Sequence, residues 1–335
     1  MNTVFIVVNY NGEKYLEKCL NFILSQNYKK FKILVIDNNS TDKSKEILKK
    51  MVDENSKIDV LFNEENVGFV KAVNLGVDVT TSPLIALINN DAFIRNDWLE
   101  NMICEVKKDL RAGIFASKIY LLNGLINSAG HSIFKGLIVM DRGYFERDSG
   151  QYDKPCYVAG ACAAAALYRR RVFEDIGLFD ESYFMYNDDV DFSLRAILYG
   201  WKIKFVPNAI AYHVHSASTG VLSDFSLYHN NRNWVWSVLK NIPRRVLMKE
   251  FPFFILRNLA FVCHFCLQGK WIALKSKIDA VKEIRKILKK RREIQKNARY
   301  DKFEEYINGF GWRELKNVWI SQRKRRNMGS NEVRI

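Results

Sequence analysis

Over its first hundred residues the chain alternates between short β-branched runs and amphipathic segments, and this alternation constrains the fold more than any other feature. Residues 4–8 (VFIVV) and 32–36 (KILVI) are apolar runs ended by Asn-rich turns, the pattern of buried parallel strands. Helices are predicted between them, over residues 14–24, and after them, over 43–52. IDVLFN (58–63) reads as a third strand and LIALINND (84–91) as a fourth that ends abruptly in polar residues. Strands and helices in strict alternation imply a parallel, doubly wound sheet. Such sheets bind ligands beyond the carboxyl ends of their strands. Those ends carry Asn9-Tyr10-Asn11, Asp37-Asn38-Asn39-Ser40 and Asn89-Asn90-Asp91, so three polar clusters are expected on one sheet edge.

A second constellation lies downstream, in YFMYNDDVDFSLRAILYGWKIKFVPNAIAYHVHSAST (183–219). Asp188, Asp189 and Asp191 crowd into four positions where an amphipathic helix begins, with Val190, Leu194, Ile197 and Leu198 as its apolar face. Asn187 reads as the N-cap, and first-turn carboxylates favour the positive end of the helix dipole. Capping accounts for one or two acids but does not require three. A strand-like KIKFV and a Pro-Asn turn then lead to His213-x-His215. Acids joined by a histidine from the following strand suit a site that binds a cation and removes a proton. Between the two constellations, residues 115–158 read as short strands and Gly-containing turns, followed by Gly160 and a run of small residues that lets a backbone or ligand approach closely. A further helix is expected over 170–176.

Phosphate handling separates the remaining α/β options. Neither the Gly-x-Gly-x-x-Gly fingerprint nor the P-loop pattern follows the first strand, and the glycine-bearing segment from Asn66 through Gly68 to Asn74 and Gly76 follows the third. A diphosphate therefore needs another counter-charge, and a divalent cation held by Asp91 would supply it.

VVNYNG, VIDNNSTD, NVGFVKAVNLG, LINNDA, GAC with RRRVFEDIGLFDE, and FMYNDDVDFSLRAILYGWKI resemble, in order, the motifs of inverting glycosyltransferases of family 2, most nearly the bacterial rhamnosyltransferase-like enzymes of cell-surface polysaccharide synthesis. The resemblance covers residues 3–220 and extends weakly into YHNNRNWVWSVLKNIP. It implies an A-type glycosyltransferase (GT-A) fold, Rossmann-like with a mostly parallel sheet, and a nucleoside-diphosphate sugar donor. On it, Asp37 contacts the base, Val8, Asn9 and Tyr10 line the same pocket, and Asn39, Asn66, Gly68, Asn74 and Asn90 complete the donor side. Asp91 takes the last position of the metal motif, here Asn89-Asn90-Asp91, for Mg2+ or Mn2+, and His213 completes the metal shell, with His215 close enough to compete. Asp189 is the general base with Asp188 beside it, and Gly160 and Asp191 fall on the acceptor side, supporting hydrogen bonds or helix capping being the other work open to Asp188 and Asp191. The resemblance implies sugar transfer to a glycan or polyprenyl-diphosphate-linked acceptor. The competing reading is a sugar-nucleotide-binding scaffold that kept the fold without the activity.

The expected organisation is a catalytic domain over 1–225, with a nucleotide half to about residue 100 and an acceptor half from 101, then a basic helical region over 226–335. The formal charge of +15 sits almost wholly in that last region: residues 1–239 carry 27 Lys and Arg against 28 Asp and Glu, and residues 240–335 carry 25 against 9. An anionic membrane surface is the expected partner, because the catalytic half is not basic and no nucleic-acid module is recognisable. The apolar run over 251–267 is broken by Arg257, Asn258 and His264, so it reads as a surface-lying helix rather than a span of about 20 apolar residues. Trp234, Trp236 and Trp271 would suit its interface with lipid, or else the core of a helical pair packed on the catalytic domain with a solvated Lys/Arg face, and the helices leave room for oligomerisation. Six scattered cysteines, with Cys263 and Cys266 expected to be buried thiols, suit a reducing compartment. With no charged leader before VFIVV, no secretory signal is expected, which gives a cytoplasmic protein on the inner face of the cell membrane. The terminal GSNEVRI is expected to be disordered.

Overall fold

The computed structural model describes residues 1–214, 223–300, 302–317 and 320. The terminal GSNEVRI and His215 lie outside the described residues. Strands β1 (Thr3–Asn9), β2 (Phe31–Asp37), β3 (Ile58–Phe62) and β4 (Leu84–Ile88) alternate with helices α1 (Leu16–Leu24), α2 (Ser44–Glu54) and α3 (Gly68–Asp78). The strands run parallel in the spatial order β3-β2-β1-β4. Both faces of β1 and β2 are apolar: Val4, Ile6, Leu34 and Ile36 point into one core cluster, Phe5, Val7, Ile33 and Val35 into the other. That is why these strands are continuous rather than alternating hydrophobic runs. Each such side chain, fully buried, contributes about 1.5–3 kcal/mol.

After β5 (Ala92–Ile94), helix α4 (Trp98–Lys108) and β6 (Ala112–Leu121) the sheet becomes mixed. The short strands β7 (Ile126–Ser128), β8 (His131–Phe134), β9 (Ile138–Asp141) and β10 (Cys156–Tyr157) lead to β11 (Ala165–Arg169), α5 (Arg170–Ile176), α6 (Asp188–Leu198) and β12 (Lys202–His213). Strand β11 inserts antiparallel between β4 and β6, and β12 lies parallel to β6 while its last residues pair antiparallel with β5. The resulting ten-stranded, largely parallel sheet flanked by helices is the GT-A fold expected from the motifs.

Helices α7 (Asp224–Asn241), α8 (Arg244–Cys266), α9 (Ile272–Lys282) and α10 (Ile284–Lys296) follow. The boundary expected at 225/226 falls in the first turn of α7, and Trp234, Val235, Trp236 and Val238 join the same apolar cluster as one face of the sheet. Trp234 and Trp236 are therefore core residues, the alternative to a place at a lipid interface, and of the three only Trp271 is exposed. The helical region also contains a strand, β13 (Ile307–Asn308), which returns to pair with β8 in a three-stranded sheet with β9. Cys263, expected to be buried, is exposed.

Candidate active site

The carboxyl ends of β1, β2 and β4 meet, and their polar residues bond to one another. The amide of Asn9 donates to Asp37 Oδ2 at 2.8 Å and to Ser40 Oγ at 3.1 Å, and accepts from Asn90 Nδ2 at 2.8 Å. Asp37 accepts further from the backbone N–H and hydroxyl of Ser40. Asn9 and Asp37 are fully buried. They are held as the floor of the edge, while Val8 is half-buried and Tyr10 exposed above it. Asn39 takes a left-handed backbone conformation and spans the turn by donating to Glu64 O. Asn66 accepts from Gly68 N at 3.0 Å and opens α3. At Gly68 (φ 84°) a Cβ would lie 2.6 Å from the Phe184 ring, so the tight approach of α3 to the loop before α6 requires glycine. Asn74 departs from the donor role expected of it: its amide bonds both ways to Phe179 and to Glu181, fixing α3 to that same loop.

Asp91 stands just past β4, and the pairing of β5 with β12 delivers His213 to it. Their Nε2–Oδ1 separation is 3.1 Å, and His213 Nδ1 lies 2.9 Å from Asn127 Oδ1, a partner that fixes the ring with Nε2 toward Asp91. Both side chains are buried. An imidazole and a carboxylate facing one another at a strand end fit a divalent cation that takes its remaining ligands from a diphosphate and water. Among the described residues no group of three or more His, Cys, Asp or Glu side chains is placed to hold a metal ion by itself.

The acidic turn of α6 follows two non-glycine residues in the left-handed region, Tyr186 (φ 69°) and Asn187 (φ 57°). Such strain persists only where the surroundings impose it, and it clusters at functional sites. Here α7 imposes it: Asn233 Nδ2 donates to both Met185 O and Tyr186 O at 2.9 Å, and Asn187 Nδ2 reaches Asn230 rather than capping α6. The three acids have diverged. Asp189 is partly exposed, accepting from Val190 N at 2.8 Å and Ala163 N at 3.2 Å. Asp188 is 5% exposed, and burial, with the neighbouring Asp189 charge, pushes it up to about 8. Burial raises Asp189 as well, but His131 opposes that shift while Asp141 adds to it. The two adjacent carboxyls therefore titrate as a pair, with burial favouring the neutral form most at Asp188.

Asp191 was expected to face the acceptor, and the structure corrects this. It is fully buried, with Arg195 Nε at 3.1 Å, Lys240 Nζ at 2.7 Å and Asn241 Nδ2 at 2.6 Å. Its charge locks α7 to α6 and leaves no oxygen for a sugar. Gly160 is also explained locally: a Cβ there would lie 2.5 Å from His131 Nδ1. His131, Asn233, Lys240 and Asn241 were missed by the sequence reading. The three α7 residues lie in the stretch YHNNRNWVWSVLKNIP, into which the motif resemblance already reached.

Residues 4–177 match the family model described as glycosyl transferase family 2. The chain belongs to that family. Among curated relatives, glycosyltransferase GlyA of Streptococcus pneumoniae serotype 4 is 25% identical over 217 residues, covering 59% of this chain and 30% of the relative. The chain spans about a third of the length of the first curated relatives it matches. Residues 1–349 of Staphylococcus aureus TarS, solved in complex with UDP-GlcNAc, share the fold with a TM-score of 0.59 at 21% identity, covering 84% of this chain and 82% of that one. GalNAc-T7, solved with UDP, GalNAc and Mn2+, gives a TM-score of 0.59 at 16% identity over 72% of this chain and 48% of that one.

Proposed function

We propose that this family 2 protein is an inverting glycosyltransferase that moves a hexosyl or rhamnosyl group from a nucleoside-diphosphate sugar to a hydroxyl of a glycan or polyprenyl-diphosphate-linked acceptor, in the synthesis of a cell-surface polysaccharide. The observation that carries the proposal is the divergence of Asp188 and Asp189, the first buried and pushed up to about 8, the second partly exposed, accepting from two backbone N–H groups and lying beside His131. A scaffold that only binds nucleotide has no use for such a base. The donor would occupy the edge formed by Val8, Asn9, Tyr10, Asp37, Asn39 and Asn90, with the Asn66–Gly68 turn beside it. TarS and GalNAc-T7, crystallised with UDP-GlcNAc and with UDP and Mn2+, lend support to a nucleotide at this edge and to a cation at Asp91 and His213. When bound, Mg2+ or Mn2+ supplies positive charge to a diphosphate leaving group.

The residues of the chain do the rest. Asp189 accepts the proton of the acceptor hydroxyl as that oxygen bonds to the anomeric carbon. The nucleoside diphosphate departs from the opposite face with the bonding electron pair, so a single displacement inverts the configuration. No second carboxylate is needed as a nucleophile, as it would be in a retaining hydrolase. Replacing Asp189 by Asn keeps the shape but leaves an amide oxygen too weakly basic to take the proton. Asp189→Asn is expected to lower kcat by about 10²–10⁴-fold, with donor affinity by calorimetry within a few-fold of wild type. Retention of most of the turnover rate would exclude Asp189 as the base.

The helical region supports a peripheral place at an anionic membrane surface on the cytoplasmic side. Among the described residues no helix is long and apolar enough to cross a membrane. Helix α8 nevertheless exposes Met248, Leu256 and Leu259, with Leu267 and Trp271 exposed just after it, in a segment that holds the positive excess of the chain. Exposed apolar side chains bordered by cations suit the headgroup boundary of a bilayer. A second copy of the chain on this face is the alternative occupant that lipid binding would separate.

A further inference from the structure

The hairpin of β8 and β9 places His131 directly opposite Asp141, an arrangement that sequence motifs do not mark. His131 is buried, and its Nε2 lies 3.4 Å from Asp141 Oδ1 and 3.9 Å from Asp189 Oδ2. Backbone bonds fix the main chain that carries the ring: His131 N donates to Gly160 O at 2.8 Å, and Ala159 N donates to His131 O at 2.9 Å. Glycine at 160 is what leaves room for the imidazole. We infer that His131, held by Asp141, is a positioning residue for Asp189, a cation between two carboxylates that keeps the base ionised and aimed at the acceptor hydroxyl. The inference rests on Asp189 being the base.

The charges around the imidazole agree with this. Asp141 faces it from β9 and Asp189 from α6, and both raise it above the ordinary histidine range against the effect of burial. Asp188, next on α6, holds its proton to about 8. The Cys162 thiol, before β11, is pushed well above its usual range by burial and by Asp141 and Asp189, so it stays neutral. Arg142 turns away, donating to Ala129 O and approaching Cys156 Sγ. Without a cation at 131, Asp141 and Asp189 would repel across the same gap, and the base would hold a proton at the pH where it must accept one.

The test is the pH profile of turnover by the full-length enzyme, or of donor hydrolysis where no acceptor is in hand. In His131→Gln the acid limb, which reports ionisation of Asp189, should move up by about one to three pH units, the range that an opposite charge at this distance imposes. KM for the donor and its calorimetric affinity should stay within a few-fold. Adding Asp141→Asn to His131→Gln should bring the limb back down, because the uncompensated carboxylate is gone. A merely structural role predicts lower turnover at every pH, an unmoved limb and no rescue, and that result would overturn the inference. Should His131→Gln fail to fold, imidazole NMR of wild type and Asp141→Asn decides: His131 must titrate above the ordinary value in the first and fall toward it in the second. Titration of wild-type His131 at or below that value is equally fatal. Turnover surviving in Asp189→Asn would instead refute the base assignment itself, a failure distinct from an unmoved limb in His131→Gln.

Discussion

Asp188→Asn should change the pH dependence of stability in a direction that follows from one carboxyl. In the folded protein burial and the Asp189 charge hold the Asp188 proton up to about 8, whereas in the unfolded chain a carboxyl ionises near pH 4. Between those values the folded state binds a proton that the unfolded state has lost. Stability due to this group is therefore complete below about pH 4 and falls as pH rises through the window, until the folded carboxyl also ionises near 8. An asparagine keeps the size and the neutral polarity and does not titrate. Its stability relative to wild type should rise by about 3 kcal/mol between pH 5.5 and pH 8.5, one unit of the shift being worth about 1.4 kcal/mol. Urea unfolding at both pH values, with equal m, measures the difference directly. The two proteins running parallel across this window would refute the reasoning, because it would mean that Asp188 is ionised in the folded state at neutral pH. A difference that shrinks with rising pH would do so more strongly.

Three further outcomes are expected. Asp91→Ala should weaken nucleotide binding and abolish its sensitivity to EDTA, as read by calorimetry with Mn2+ or Mg2+; metal-independent binding by the wild type would remove the cation from the site. Lys240→Met should destabilise the fold by about 3–5 kcal/mol, because Lys240 Nζ lies 2.5 Å from Asp180 Oδ2 and 2.7 Å from Asp191 Oδ1 and its removal leaves buried carboxylates short of a counter-charge; a loss below about 1 kcal/mol in urea melts would contradict it. Leu256→Glu with Leu259→Glu should reduce sedimentation with anionic vesicles while leaving the melting temperature near that of wild type, and binding that ignores lipid charge or salt would speak for a protein–protein face instead.

The sheet was legible because its strands carry a local signal. Residues 4–8 and 32–36 are apolar at nearly every position, and only a strand buried on both faces needs that. The polar strand ends were legible for the same reason: Asn9, Asp37 and Asn90 break apolar runs where a parallel sheet must turn, and the structure joins them by hydrogen bonds. The pairing of Asp91 with His213 was less accessible to pattern. It depends on β12 crossing to β5 over more than a hundred residues of chain, and it was reached through the resemblance of motifs rather than through periodicity.

What stayed hidden was how the helical region serves the acidic turn. The region beyond residue 225 reads as helical, but that reading does not say which element a polar side chain of α7 reaches. Asn233 supports the left-handed backbone at Tyr186 from forty-seven positions away, and Lys240 and Asn241 bind the Asp191 carboxylate from within α7. Three acids in four positions therefore have three different fates because of groups outside the motif. Asp191 is consumed by α7, Asp188 is pushed toward its neutral form by burial, and Asp189 stays partly exposed beside His131. A run of like charges at a helix start would repel itself if all three were ionised and solvent-facing alike. Distributing them among an anchor, a buried neighbour that favours its proton and one partly exposed carboxylate resolves that repulsion. It also ties the chemistry of the sheet edge to helices that a motif search would treat as an appendage.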